Sequence, residues 1–417
     1  MNISKEMKQY AKRLGYSTFK SHQKKAIESI CAGKDTFVVA APGFGKNGII
    51  FAAALSREER SVLVIEPTLS LIYDQVRRLS SLEEPIAAAA LTSYNRDEHD
   101  EILKKFKKHQ ISILYATPER LPKKYFQKAM EENEPWLVVA DEYHLVLDWG
   151  ETFRPDYLKI GEFVNNLSHR PTILAMTATA PPADRKAIQN SLDMTAPEEI
   201  ILSVDKPNLY VIVENRSDYV LGSKKAHLEH LLKRIRKNIE KYAANESVIV
   251  YAITPDNVTI IANYLEPFFP GQIVMSHGKL AKESRANNER LFLTDESRII
   301  VATSAFGQGV DKANIRLVVH FGLPLSVVDY WQQIGRAGRD GDKAHAVVIY
   351  DKGLMKQNEA LIKSAPENTQ KQMKKRQKEL ETIITGDSCI MQGLLRVLGE
   401  ERGCCNHCSV CQRRKTK

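Results

Sequence analysis

Cysteine is scarce in this chain, and long apolar runs are missing. Only six cysteines stand in 417 residues, and five of them lie at or beyond Cys389. They are too few and too clustered for a disulfide framework spread through the fold. No apolar stretch approaches the ~20 residues that cross a bilayer, so no helical membrane anchor is expected. The opening MNISKEMKQYAKRLGYS has neither an apolar core nor a small-residue cleavage pattern, and no secretory leader is expected. Short-period repeats and low-complexity tracts are also lacking, which sets aside solenoids and disordered linkers. What remains is a cytoplasmic globular chain, long enough for two or three domains.

The charge is unbalanced. The formal net charge is +9 and the pI is about 9.0. From Asp351 to Lys417 there are 14 Lys+Arg against 8 Asp+Glu, so most of the excess sits at the C-terminal end. Such a balance favours a polyanionic partner, most often nucleic acid.

Short β-branched runs alternate with helical stretches. DTFVVAAP, SVLVIEPT, ISILYATPE, PWLVVADEYH and PTILAMTATA read as buried strands, with helices such as Ser70–Leu79 and Pro182–Leu192 between them. The alternation breaks near SVDKPNLYVIVENRS and restarts with SVIVYAIT, GQIVMSHG, SRIIVATSAFG, IRLVVHFGLP and AHAVVIYD. Two α/β domains with parallel sheets are expected, over 1–205 and 206–351. A helical segment with the cysteine cluster follows over 352–417.

AAPGFGKNG, from Ala40 to Gly48, is nearly a phosphate-binding loop. It follows a strand and precedes the apolar run GIIFAAALS, so Gly43, Phe44, Gly45 and Lys46 present N–H groups and a charge to phosphates. Ala40 replaces the first glycine, Pro42 removes one N–H donor, and Asn47 stands where a magnesium-binding hydroxyl is usual. Its amide oxygen is still a hard ligand that Mg²⁺ accepts. Asp141 and Glu142 end the strand of LVVADEYH, where one carboxylate can hold Mg²⁺ and the other can position water. In YWQQIGRAGRDG, Arg336 and Arg339 lie three apart; if they reach across a cleft, they stabilise charge on a transferring phosphate. Among the cysteines, Cys405, Cys408 and Cys411 form C-x2-C-x2-C, and fifteen residues separate Cys389 from Cys405. Four thiolates suit a closed tetrahedral zinc site. Cys404 adjoins Cys405 and leaves the choice open, with spacing in favour of Cys405; His407 is a weaker alternative.

In this order the motifs resemble the superfamily 2 helicases, and within them the RecQ family of DNA helicases. FKSHQKKAI resembles motif 0, EPTLSLIYDQVRRL motif Ia, YATPERL motif Ib, and DEYH motif II with Tyr143 in place of the usual alanine. TATAPP resembles motif III, SHGKLAKESRANNERLF motif IVa, VATSAFGQGVDKANIRLVVHFGLP motif V, and QQIGRAGRDG motif VI. LDWGETFRPDY resembles the family's aromatic-rich loop, and the cysteines its zinc-binding subdomain.

The resemblance implies two tandem RecA-like domains, with ATP, Mg²⁺ and Zn²⁺ as cofactors and 3′-to-5′ movement on DNA. It assigns catalysis to Lys46, Asp141, Glu142, His144, Arg336 and Arg339. Nucleotide contacts go to Phe19, Gln23, the phosphate loop through Asn47, Asp311 and Gln332. Nucleic-acid contacts go to Trp149, Phe153, Arg154, Arg120, Thr177, Thr179 and Thr303. Zinc goes to Cys389, Cys405, Cys408 and Cys411, and magnesium to Asn47 and Asp141. The expected partners are single-stranded and partly duplex DNA. The larger members' winged-helix domain does not fit in the six residues after Cys411, so a protein partner is expected to help separate strands. Two rivals stay open: a hydrolysis-deficient nucleic-acid-binding or strand-annealing protein, for which Asn47 speaks, and an RNA helicase.

Overall fold

Runs such as VLVI and LVVA carry no polar residue because both faces of each strand are covered. The computed structural model describes residues 3–41, 43–67, 69–146, 155–215, 223–307 and 312–415. The chain divides into two compact units, the first closing at Val204 and the second opening at Asp205.

In the first unit the strands are β1 (Thr36–Val39), β2 (Val62–Ile65), β3 (Ala88–Leu91), β4 (Ile113–Ala116), β5 (Leu137–Ala140), β6 (Thr172–Thr177) and β7 (Glu198–Ile201). They form one parallel sheet in the order β3-β4-β2-β5-β6-β1-β7. Strand side chains alternate between two cores. Val38, Val64, Val139 and Met176 belong to one; Val39, Ile65, Val138 and Ala175 belong to the other. The second unit has β8 (Leu209–Asn215), β9 (Ser247–Ala252), β10 (Ile273–Ser276), β11 (Ile299–Ala302), β12 (Ile315–Phe321) and β13 (Ala344–Tyr350). These form a second parallel sheet, ordered β10-β11-β9-β12-β13-β8. Helices Lys352–Ser364, Glu367–Thr385, Ile390–Val397 and Ser409–Lys415 follow it in the same unit.

All ten strands read from the sequence form, and three more appear. β3 and β7 are the two edges of the first sheet, and β8 is an edge of the second. β8 lies inside SVDKPNLYVIVENRS, which the sequence reading treated as a break; it pairs with β13 along its whole length. Among the described residues no helix is long and apolar enough to cross a membrane.

Asp35 sets the register between the strands that matter most. Its buried carboxylate accepts from Arg170 Nη1 and Nη2 at 3.2 and 2.7 Å and from the Ile173 N–H at 2.9 Å. It thereby ties the start of β1 to the start of β6, whose far ends carry the site described next. Asp35→Ala leaves the buried Ile173 N–H without its acceptor and strips Arg170 of its carboxylate, leaving that guanidinium the Pro171 and Asp193 carbonyls. It should destabilise the fold by about 2 kcal/mol, chiefly the cost of a buried N–H left without an acceptor. A urea titration should show a lower midpoint at unchanged slope; an unchanged midpoint would contradict this role.

Candidate nucleotide and zinc sites

A parallel sheet gathers the C-terminal ends of its strands along one edge, where ligands of such folds bind. β1 ends there in the loop through Gly45, β5 ends in Asp141, and β6 between them ends in Thr177. The Ala40 N–H donates to Thr177 O at 3.0 Å, and the Asp141 N–H to Ile65 O at 3.1 Å. These bonds carry the strand register beyond the strands.

The loop is built around glycine. Gly45 has a φ of 83° and caps helix Lys46–Ser56. The positive φ disfavours any side chain at Gly45, and a Cβ there would also displace Gln23 Nε2, 2.6 Å away, from its bond to the loop. Gln23 Nε2 donates to Gly45 O at 2.8 Å, while its Oε1 accepts from the Lys20 N–H at 2.8 Å. His22 Nε2 meets Phe44 O at 3.1 Å. The loop backbone is thus held from behind, and its N–H groups at the helix start suit an anion. A nucleotide's phosphates fit that chemistry.

Lys46 Nζ lies 3.5 Å from Asp141 Oδ1 and 3.4 Å from Glu142 Oε1. Burial alone would lower its pKa, but Asp141, Glu142 and the fully buried Glu66 raise it well above the ordinary lysine value. Burial lifts Asp141 above the usual carboxylate range against the pull of Lys46. Burial pushes the same way on Glu142, yet Lys46 and His144 hold it far below that range. Successive strand residues face opposite ways. Glu142 breaks the alternation with a φ of 48°, uncommon for a residue with a side chain, and both carboxylates reach one ammonium.

The network runs on from Glu142. His144 Nδ1 lies 3.3 Å from Glu142 Oε2 and 3.0 Å from Thr177 Oγ1. Thr177 Oγ1 donates to Thr179 O at 2.9 Å and accepts from the Thr179 N–H at 3.2 Å. Tyr143 fits without strain: its ring packs edge-on against Tyr157, and its hydroxyl meets Ser191 Oγ at 3.1 Å. Tyr157, the last residue of LDWGETFRPDY, donates to Asp141 O at 2.9 Å, a support the reading of that motif did not foresee. Glu66, also passed over, had a signal in the sequence: a carboxylate directly after a strand.

In the second unit Gln332 sits on helix Val327–Ile334, and Arg336 and Arg339 follow it. A Cβ on Gly307 would lie 2.4 Å from Arg336 Nε, so the guanidinium lies across that glycine. Burial raises the Tyr251 pKa, and Arg336 beside it pulls the other way. Arg316 pairs with Asp340 in the arginine-bearing turn.

Other expected contacts are placed less directly. Phe19 is buried against Tyr16, and the Gln23 amide is occupied by the loop, so neither presents a free edge to a base in this state. Thr177, Thr179 and Thr303 are buried; the first two serve the His144 network instead of an exposed surface. Arg120 Nη1 donates to the Tyr125 hydroxyl at 3.2 Å beside β4. Pro42, Trp149, Phe153, Arg154 and Asp311 lie outside the described residues.

The sulfurs of Cys389, Cys405, Cys408 and Cys411 all lie within 4.8 Å of one another. Four thiolates about 2.3 Å from one zinc ion would be about 3.8 Å apart, and Cys405 Sγ to Cys411 Sγ is 4.0 Å. Backbone N–H groups already point at the sulfurs: Cys405 N to Cys389 Sγ at 3.3 Å and Cys408 N to Cys405 Sγ at 3.2 Å. Such bonds favour thiolates. The donor set fits zinc. Cys404 is exposed and outside the cluster, and the His407 ring packs on Tyr210 at 4.8 Å. Protein purified without chelator should hold about one zinc per chain. Cys408→Ser should lose most of it and Cys404→Ser should keep it, by atomic absorption; the reverse pattern would overturn the ligand set.

Comparison with known proteins agrees with this geometry. Residues 20–188 match the DEAD/DEAH box helicase family, and residues 224–341 match the helicase conserved C-terminal domain. The probable ATP-dependent DNA helicase RecS of Bacillus subtilis is 32% identical over 84% of this chain and 67% of its own length. The ATP-dependent DNA helicase RecQ of Pasteurella multocida is 32% identical over 95% of this chain and 60% of its own length. The putative ATP-dependent RNA helicase R290 of Acanthamoeba polyphaga mimivirus is 29% identical over 98% of this chain and 72% of its own. The structure of Mycobacterium smegmatis helicase Lhr bound to ssDNA and AMP-PNP shares the fold, with a TM-score of 0.66 at 18% identity over 95% of this chain and 55% of that one. The chain thus spans about 60 to 67% of the RecQ and RecS relatives. With both helicase domains in tandem and that level of identity, the chain belongs to the RecQ family of superfamily 2 helicases.

Proposed function

We propose that the chain is an ATP-dependent DNA helicase and translocase, moving 3′ to 5′ along single-stranded DNA in the cytoplasm and opening partly duplex DNA. The observation that carries the reading is Lys46, held 3.4–3.5 Å from Asp141 and Glu142 beside a glycine loop. That arrangement, in a member of this family, is what phosphoryl transfer to water requires.

Lys46 and the loop N–H groups hold the phosphates. Asn47 and Asp141 would hold Mg²⁺, which supplies charge neutralisation when bound. Glu142, kept ionised by Lys46 and His144, orients the attacking water. His144 and Thr177 connect that carboxylate to the segment after β6, a route by which nucleic acid can be sensed. Arg336 and Arg339 are assigned to the phosphate in transfer. Binding to single strands rests mainly on phosphate contacts and weakens steeply with salt.

The similarity to R290 favours one second reading, in which RNA replaces DNA. One experiment tests both. ATP turnover is measured without nucleic acid, with single-stranded DNA and with RNA of the same sequence, across a magnesium titration. DNA should stimulate more than RNA, and Lys46→Ala should remove at least about 99% of the activity. Asn47→Ser should reach half-maximal rate at lower magnesium. Stronger stimulation by RNA would favour the second reading. No turnover in the wild type, with a gain in Asn47→Ser, would make the chain a hydrolysis-deficient binding protein.

A further inference from the structure

The turn that carries Arg336 and Arg339 is held in part by its own backbone bonds, such as the Ala337 N–H to Ile334 O at 3.1 Å and the Gly341 N–H to Gly338 O at 3.2 Å, and by Arg316 on Asp340, but most of its carbonyls face elsewhere. It follows helix Val327–Ile334 and contains three glycines, Gly335, Gly338 and Gly341, the last two at φ of 61° and 91°. A chain so rich in glycine is intrinsically loose. Two arginines that must meet a small anion need a fixed backbone.

The backbone is fixed from outside by DKPN, immediately before β8. Lys206 Nζ donates to Gly335 O at 2.5 Å and to Ala337 O at 3.3 Å. Asn208 Nδ2 donates to Gly338 O at 2.9 Å and Asp342 O at 2.8 Å. The Asn208 carbonyl accepts from the Ala344 N–H at 3.0 Å. Two side chains therefore hold four carbonyls on both sides of each arginine. Pro207 between them fixes its own φ and so their spacing. The fit is close: a Cβ on Gly338 would come within 2.5 Å of Asn208 Nδ2. On the other side, Asp205 pairs with Arg402, three residues before Cys405. The clamp is thus tied to the cysteine-bearing segment.

We infer that Lys206 and Asn208 are positioning residues for Arg336 and Arg339. Neither is assigned a contact with nucleotide; each acts through the backbone of the turn. The charge of Lys206 supports this. Burial and the nearby Arg339 and Arg336 push its pKa down to about 8, with Asp340 opposing. A neutral donor would hold the same carbonyls without that repulsion. Lys206 is kept there, despite that repulsion, by its two carbonyl contacts.

The inference rests on the ATPase reading for the two arginines, so the test separates the two. Turnover number and KM for ATP are measured at saturating single-stranded DNA for wild type, Arg336→Ala, Lys206→Met, Lys206→Arg and Asn208→Ala. Hydrogen exchange of peptides covering 335–342 is followed in the same proteins. Lys206→Met should lower the turnover number at least about tenfold with KM within about threefold, and speed exchange in the turn. Lys206→Arg, which keeps charge and donors, should restore turnover to within about threefold of wild type. If Lys206→Met does not fold, Asn208→Ala decides by the same two readouts. Loss of turnover in Arg336→Ala, with Lys206→Met and Asn208→Ala unchanged in turnover and exchange, would overturn the inference alone. Full turnover in Arg336→Ala would instead sink the role of the arginines, while the exchange data still judge the clamp.

Discussion

One largely enclosed cation organises the first unit. Asp141 and Glu142 are neighbours in a water-poor place, where two carboxylate charges repel and each is costly to bury. Lys46 offsets both at 3.4–3.5 Å. It can do so only if β1 and β5 end at the same level, one strand apart. Parallel pairing of each with β6 enforces that level, and the Asp35–Arg170 pair fixes it from the opposite end of the sheet. The glycine at position 45 then lets the chain turn sharply enough for Lys46 to open a helix. Sheet order, loop and helix start together bring one ammonium to two carboxylates.

The same charges divide the labour of the site. Lys46 stays protonated because its neighbours are acidic, which suits it to the proposed role as an anion ligand. Glu142 stays ionised because Lys46 and His144 face it. Ionisation suits it to accept a hydrogen bond from water. Asp141 has its proton affinity raised by burial, and a divalent cation beside it would reverse that. Asn47 is the departure that tests this logic. It offers a neutral oxygen on the helix that Lys46 begins, so under the proposed function its effect should fall on metal affinity before it falls on charge balance.

Much of this was legible in the sequence, for physical reasons. The nine central strands are buried on both faces and cannot hide their apolar runs, so all were read, together with the edge strand β10, whose IVMS is apolar enough to stand out. β3, written AAAL, and β7, written EEII, escaped because edge strands are covered less and tolerate alanine and acid. β8 escaped because PNLYVIVENRS sits where the alternation resets, and a change of domain looks like a change of pattern. Lys46, Asp141, Glu142 and the four cysteines were visible because their chemistry needs fixed spacings. Their supports were not. Tyr157 beneath Asp141, Gln23 behind Gly45 and Lys206 behind the arginine turn act through backbone carbonyls, which any sequence offers everywhere. The left-handed backbone at Glu142 was equally invisible, since nothing in the residue type demands it.

The account stands on the claim that Lys46 binds while Glu142 serves the reaction. Glu142→Gln removes the charge and keeps the shape. Its affinity for ATP with Mg²⁺, by equilibrium titration, should stay within about threefold of wild type, while single-turnover hydrolysis on single-stranded DNA slows at least about a hundredfold. Hydrolysis at the wild-type rate would contradict the account, because the carboxylate that Lys46 and His144 keep ionised would then have no part in the chemistry.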